Sequence, residues 1–234
     1  KTPSAPVIWC KKISKIGKAR AVIVNSGNAN AHTGNKGMET VKKTVNSVVN
    51  HIGCQPNEVY VCSTGVIGEY LNENSIIDAI PKLKKQKESS WKEVAESICT
   101  TDTFIKGAKS KFSVEEKKFN VVGIAKGSGM IFPNMGTMLG FIFTDFPLPI
   151  KILNSLLKEA VDKSFNSITV DGDTSTSDTC LLFSTPSISL KDSIKQTKDK
   201  RLSPFREALD KVLQSLAQQI VCDGEGASKF ITIN

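Results

Sequence analysis

Apolar positions along this chain recur with two different periods, and the switch between them outlines its elements. Ala21–Ser26 (AVIVNS) reads as a buried strand, followed by the small-residue loop GNANAHTGNKG. Met38, Val41, Val45, Val48, Val49 and Ile52 then recur at helical spacing. Glu58–Cys62 (EVYVC) predicts a second strand, leading into a loop that begins STGVIG. Helical segments are expected around Ser75–Ile80 and Trp91–Ile98, with Pro81 ending or kinking the first. Asp102–Ala108 and Lys118–Ala125 have strand character, the second feeding a glycine-rich turn, and Thr137–Asp145 (TMLGFIFTD) predicts another strand. Ile150, Leu153, Leu156, Leu157, Val161 and Ser164 mark an amphipathic helix.

Toward the end, Ser167–Asp171 and Cys180–Ser184 predict short strands around the polar loop GDTSTSDT. A last helix is marked by Phe205, Ala208, Leu209, Val212, Leu213, Leu216 and Ile220, with Pro204 at its start. DGEGASK predicts a turn, and Phe230–Ile233 the opening of a strand. Strands alternating with helices argue an α/β layered architecture. A chain that stops within a β pattern leads to the expectation that further protein follows it, and a start without methionine to the expectation of a processed or truncated product.

Composition narrows the class without naming it. A chain of 234 residues buries one sizeable core or two small ones, and hydrophobic and charged shares of 39% and 23% are ordinary for a globular protein. No apolar run of about 18 residues predicts a membrane span, and the first residues, KTPSAPVIWCKK, lack the features of a secretory signal. The net charge of +8 is almost wholly lysine, since Arg20, Arg201 and Arg206 are the only arginines. The basic runs are separated and carry no interleaved aromatics, so a solvated lysine surface is expected in place of nucleic-acid binding. Such a field still draws in small carboxylates. Cys10, Cys54, Cys62, Cys99, Cys180 and Cys222 form no CxxC pair. Neither a zinc site nor a disulfide scaffold is predicted, and reduced thiols in the cytoplasm are the expectation.

The chemistry concentrates in Lys126–Phe141, KGSGMIFPNMGTMLGF. At Gly136–Thr137 a glycine precedes a threonine, so the backbone can bend enough for the hydroxyl to attack the carbonyl before it. Scission there would leave Thr137 as a new N-terminus, its free amine beside its own hydroxyl, which is one way to activate a weak oxygen nucleophile. An α-amino group, with an ordinary pKa near 8, accepts a proton at neutral pH without heavy tuning. The scarcity of histidine favours this arrangement, because His32 in a glycine-rich loop and His51 on a helix are the only imidazoles. Thr64 and Gly65 offer a hydroxyl and a close-approach N–H for an oxyanion. Lys126 is a candidate carboxylate partner, since KGSG lacks the ending of a phosphate loop. Asp171, Asp173 and Asp178 lack the glutamate that completes a calcium loop and are expected to form turns; no metal is predicted.

Six segments together resemble one family. VNSGNANAHTG (Val24–Gly34), CSTGVIG (Cys62–Gly68), TTDT (Thr100–Thr103), GIAKGSGMIFPNMGTML (Gly123–Leu139), DGDTSTSDT (Asp171–Thr179) and DGEGASKF (Asp223–Phe230) resemble, in order, the ornithine acetyltransferase family. These are the bifunctional glutamate N-acetyltransferases of arginine biosynthesis. The resemblance implies a layered α/β sandwich and a precursor that cuts itself between Gly136 and Thr137. Residues 1–136 would be the α-chain portion and 137–234 the β-chain portion, truncated at its C-terminus, assembled with a further pair into a heterotetramer. Thr137 would take the acetyl group of N-acetylornithine as an ester and pass it to glutamate, with Thr64 and Gly65 as the oxyanion hole. Thr100, Lys126, Thr137 and Glu225 would contact substrate, Lys126 holding a carboxylate and Glu225 the ornithine ammonium. No cofactor is implied, although some members accept acetyl-CoA as donor. A self-processed N-terminal-nucleophile hydrolase is the alternative reading. The chain departs from the family in carrying Gly136 where alanine is usual, and family members extend beyond both of its ends.

Overall fold

The computed structural model describes residues 2–85, 88–132 and 138–233, which fall into two compact units. The first comprises residues 1–100 with 176–179, and the second residues 101–175 with 180–234.

In the first unit, strand β1 (Ala21–Asn28) lies parallel to β2 (Val59–Val66), and helix α2 (Gly34–Ile52) is the crossover between them. Parallel pairing requires such a long return, and here the helix supplies it. Val41, Val45 and Val48 form the buried stripe of α2 and pack with Val59, Val61, Cys54 and Ile80. Gly53 ends the helix in the left-handed region and returns its N–H to the Val49 carbonyl. An additional helix, α1 (Ala5–Ile13), joins this core through Ala5 and Trp9, the Trp9 indole donating to the Val59 carbonyl at 2.9 Å. Helices α3 (Glu73–Lys85) and α4 (Trp91–Ser97) complete the unit. Pro81 neither ends α3 nor begins a loop; the helix runs through it.

The second unit is a four-stranded sheet in the order β3 (Lys106–Val114), β4 (Lys117–Lys126), β5 (Leu139–Thr144), β6 (Thr179–Ser184). β3–β4 and β4–β5 are antiparallel. Helices α5 (Ile150–Asp162) and α6 (Ser203–Cys222) pack on it, and the core they share includes Phe119, Val121, Ile142, Leu156, Leu209 and Leu216. At its centre the rings of Phe112, Phe119, Phe146 and Phe205 meet at centroid separations of 4.8–5.6 Å, some stacked and some edge-on. Mixed α/β architecture is thus present, as the alternating periods predict.

Four expectations are corrected. The predicted strand Asp102–Ala108 starts only at Lys106, because Asp102 and Thr103 are engaged by side chains from elsewhere in the unit. Thr64 and Gly65 lie within β2 and not in a loop after it. Ser167–Asp171 is no strand; a 3-10 turn at Phe165–Ser167 precedes irregular chain. Phe230–Ile233 forms no strand either, and Ile231 and Ile233 are 76% and 93% exposed.

Phe146→Ala is expected to cost about 3–5 kcal/mol, because it leaves a cavity where three other rings meet a fully buried one. A fall in the urea midpoint at unchanged slope would show this.

Candidate active site

The sequence-predicted residues divide between the two units. Thr64, Gly65 and Thr100 belong to the first, and Lys126 and Glu225 to the second. Gly136 and Thr137 lie outside the described residues.

In the first unit Gly65 faces Gly27 across the parallel pair, and both have positive φ, +127° and +101°. A Cβ on Gly65 would sit 2.2 Å from the Gly27 carbonyl carbon, because the positive φ aims it at the neighbouring main chain. Thr64, one residue earlier, is 0% exposed, and its register partner is Ser26. Beside it Ser63 donates to the Asn25 side-chain carbonyl at 2.6 Å. Thr100 is exposed after α4.

In the second unit Lys126 ends β4 and is 2% exposed. Its ammonium lies 3.7 Å from Oδ2 of Asp102, while Oδ1 of Asp102 accepts the Gly127 N–H at 2.7 Å. Asp102 is also bound by Lys106, whose ammonium is 0% exposed and reaches Oδ1 at 2.7 Å and Oδ2 of Asp223 at 2.5 Å. Asp223 further accepts the backbone N–H and hydroxyl of Thr103. Two lysines and two aspartates are therefore buried together with opposite charges matched, as burial of ions requires.

The glycine turn after Lys126 carries the other half of the site. Ser128 Oγ meets Thr101 Oγ1 at 2.8 Å and donates to Glu225 Oε1 at 3.5 Å, while the Glu225 N–H donates to the Ser128 carbonyl at 2.8 Å. Gly129 leaves room for this: a Cβ there would come within 2.8 Å of the Glu225 carboxyl carbon. Glu225 itself is exposed. A buried cation and an accessible carboxylate thus flank one turn, a layout suited to a small ligand carrying both charges. Asp102, Lys106, Ser128 and Asp223 escaped the sequence reading; the signals available were the i,i+4 charge pair in DTFIK and the aspartate that opens DGEG.

The other candidates take structural parts. Asp171 clasps the same turn, accepting the N–H groups of Met130, Ile131 and Asp173. Burial pushes its pKa up, but these backbone donors outweigh it and hold the carboxyl below its ordinary range. His51 contacts the Ser47 carbonyl one helical turn back, and His32 is exposed. Burial pushes the Cys180 thiol up to about 12, which leaves no thiolate at neutral pH. Among the described residues no cluster of His, Cys, Asp and Glu could hold a metal ion, and no helix is long and apolar enough to cross a membrane.

The fold is of a known mixed α/β type. The crystal structure of an arginine biosynthesis bifunctional protein from Bacillus halodurans is similar at a TM-score of 0.53 and 35% identity, over 59% of this chain and 72% of that one. The ArgJ family model matches residues 1–234, and the chain belongs to that family. Its relatives include proteins named arginine biosynthesis bifunctional protein ArgJ. That of Bartonella henselae is 46% identical over 100% of this chain and 57% of its own length, and that of Zymomonas mobilis 45% identical over 99% and 56%. The chain therefore spans a little over half the length of these relatives.

Two predictions follow from the geometry. Gly65→Ala should destabilise the chain by at least about 1–3 kcal/mol from backbone strain alone, with the clash against Gly27 added, as read by urea denaturation. Asp171 has a folded-state pKa below its unfolded value of about 3.9, so its contribution is present above that value and lost as pH falls through the folded one. Asp171→Asn should accordingly flatten the loss of stability below about pH 4, measured as the urea midpoint against pH.

Proposed function

We propose that this protein transfers the acetyl group of N2-acetyl-L-ornithine to L-glutamate through an acetyl ester on Thr137, in the cytoplasmic synthesis of arginine. The observation that carries the reading is the placement of buried Lys126 and accessible Glu225 on one glycine turn and the loop held against it, in a chain of the ArgJ family. Lys126 offers its ammonium to the α-carboxylate shared by donor and acceptor, and Glu225 receives the ornithine ammonium. Thr100 makes a further substrate contact. The register supports the location, since Lys126 is the β4 partner of Leu139, two residues beyond Thr137 in sequence.

Processing comes first. The Thr137 hydroxyl adds to the Gly136 carbonyl, the peptide nitrogen leaves as the Thr137 amine, and water hydrolyses the resulting ester to release the Gly136 carboxylate. The α chain thus ends at Gly136 and the β chain begins at Thr137, with two of each forming the assembly. In turnover the Thr137 amine takes the hydroxyl proton as Oγ attacks the acetyl carbonyl. Thr64 and the Gly65 N–H stabilise the oxyanion, an interaction strengthened where water is excluded. The proton passes to the leaving ornithine amine. The glutamate amine then attacks the ester and regenerates Thr137. No resident cofactor takes part; acetyl-CoA is a second donor to be tested.

Intact-mass measurement of the full-length protein is expected to show two chains divided before Thr137. Thr137→Ala should remain whole and lose transfer by at least about 1000-fold, the scale on which a covalent nucleophile acts. A wild-type chain that stays uncut yet transfers acetyl groups would sink the mechanism. Acetate formed equally with and without glutamate would indicate a hydrolase.

A further inference from the structure

Lys106 is not itself proposed to meet substrate, yet it joins the segments that carry Lys126 and Glu225. On one side its ammonium holds Asp102, which pairs with Lys126 and anchors the Gly127 N–H. On the other it holds Asp223, two residues before Glu225. Each carboxylate has a second anchor: Asp102 through Gly127, Asp223 through Thr103. The ammonium joins the two carboxylates directly, beside the bonds that Thr103, next to Asp102, makes to Asp223.

We infer that Lys106 is a positioning residue, a buried cationic bridge that sets the separation between the carboxylate-binding Lys126 and the ammonium-binding Glu225. The inference rests on the acetyl-transfer reading for its substrates, but the bridge itself does not. Without the ammonium, Asp102 and Asp223 repel one another in a dry setting. The Lys126 turn and the Glu225 loop are then pushed apart, against the contacts of Ser128 and the bonds from Thr103 to Asp223. A ligand with both charges would feel this in binding, while a neutral acyl donor would not.

The test compares two donors in the full-length protein carrying Lys106→Met, a side chain of similar length without charge. KM for N-acetylornithine is expected to rise about 10- to 100-fold, the scale of a small misplacement of binding groups. Turnover of p-nitrophenyl acetate, which carries neither charge, should change by less than about 3-fold. Hydrogen exchange should quicken together at residues 126–129 and 223–225. Where the single variant does not fold, Lys106→Met with Asp223→Asn removes one charge of each sign and carries the same comparison. Equal losses on both donors, or an unchanged KM, would overturn the inference, as would exchange unaltered at both segments. Should the wild type move no acetyl group from N-acetylornithine while exchange still quickens at both segments, the bridge stands and the acetyl-transfer reading falls.

Discussion

The second unit is organised around the requirement that four buried charges cancel. Removing one partner from a buried pair typically costs about 3–5 kcal/mol, because the other ion is left without water or counter-charge. Asp102, Lys106, Lys126 and Asp223 come from the approach to β3, the start of β3, the end of β4 and the end of α6. None can be buried until those segments have met. The cluster therefore makes register a matter of charge as well as packing. Lys106 pairs with Ala125 across β3 and β4, and a slip of one residue would turn its ammonium to the opposite face of the sheet. Such ions often add little net stability over an apolar replacement, whereas removing one partner alone is strongly destabilising.

The first unit meets a related demand with no charge at all. Hydrogen bonds hold paired strands about 4.8 Å apart with side chains directed out of the sheet, and near the ends of β1 and β2 Gly27 lies opposite Gly65. There the main chain itself is the surface, in conformations that glycine alone adopts without strain. Thr64, the last residue before this point, is fully enclosed. The strand that looked like a strand plus a loop is one continuous element, and the reason is physical: STG reads as a turn only when its partner glycine, distant in sequence, is ignored.

That example generalises to what was legible. Helices α2, α5 and α6 announced themselves because each buries one apolar stripe, and periodicity records burial on one face. The helix α1 did not, being nine residues long and opened by a proline. Strand β3 was largely invisible for two reasons. Lys106 and Ser110 fall on the inward phase with Ala108, Phe112 and Val114 and interrupt the apolar alternation, and the hairpin to β4 turns on Glu115–Glu116, both at positive φ, where asparagine or glycine would signal the turn. Lys126 and Glu225 were found through motifs, since a motif marks a residue without explaining its surroundings. Asp102, Lys106 and Asp223 were missed because buried charges look in sequence like any solvated pair. Only a folded chain separates the two.

A cation and an anion set out to receive a zwitterion attract each other while the site is empty. At about 4 Å and an effective dielectric of about 20, that attraction is of order 4 kcal/mol, enough to close the site on itself. On the reading proposed for them, Lys126 and Glu225 would stand in this relation, and each is also held by other groups. Asp102 draws the Lys126 ammonium back into the unit, and Ser128 holds the Glu225 carboxylate at the turn. Lys106 in turn holds Asp102 from behind, together with the Gly127 N–H. On that reading, buried and matched charges would restrain the cation and the carboxylate that a ligand meets, so that less of their mutual attraction remains to be broken.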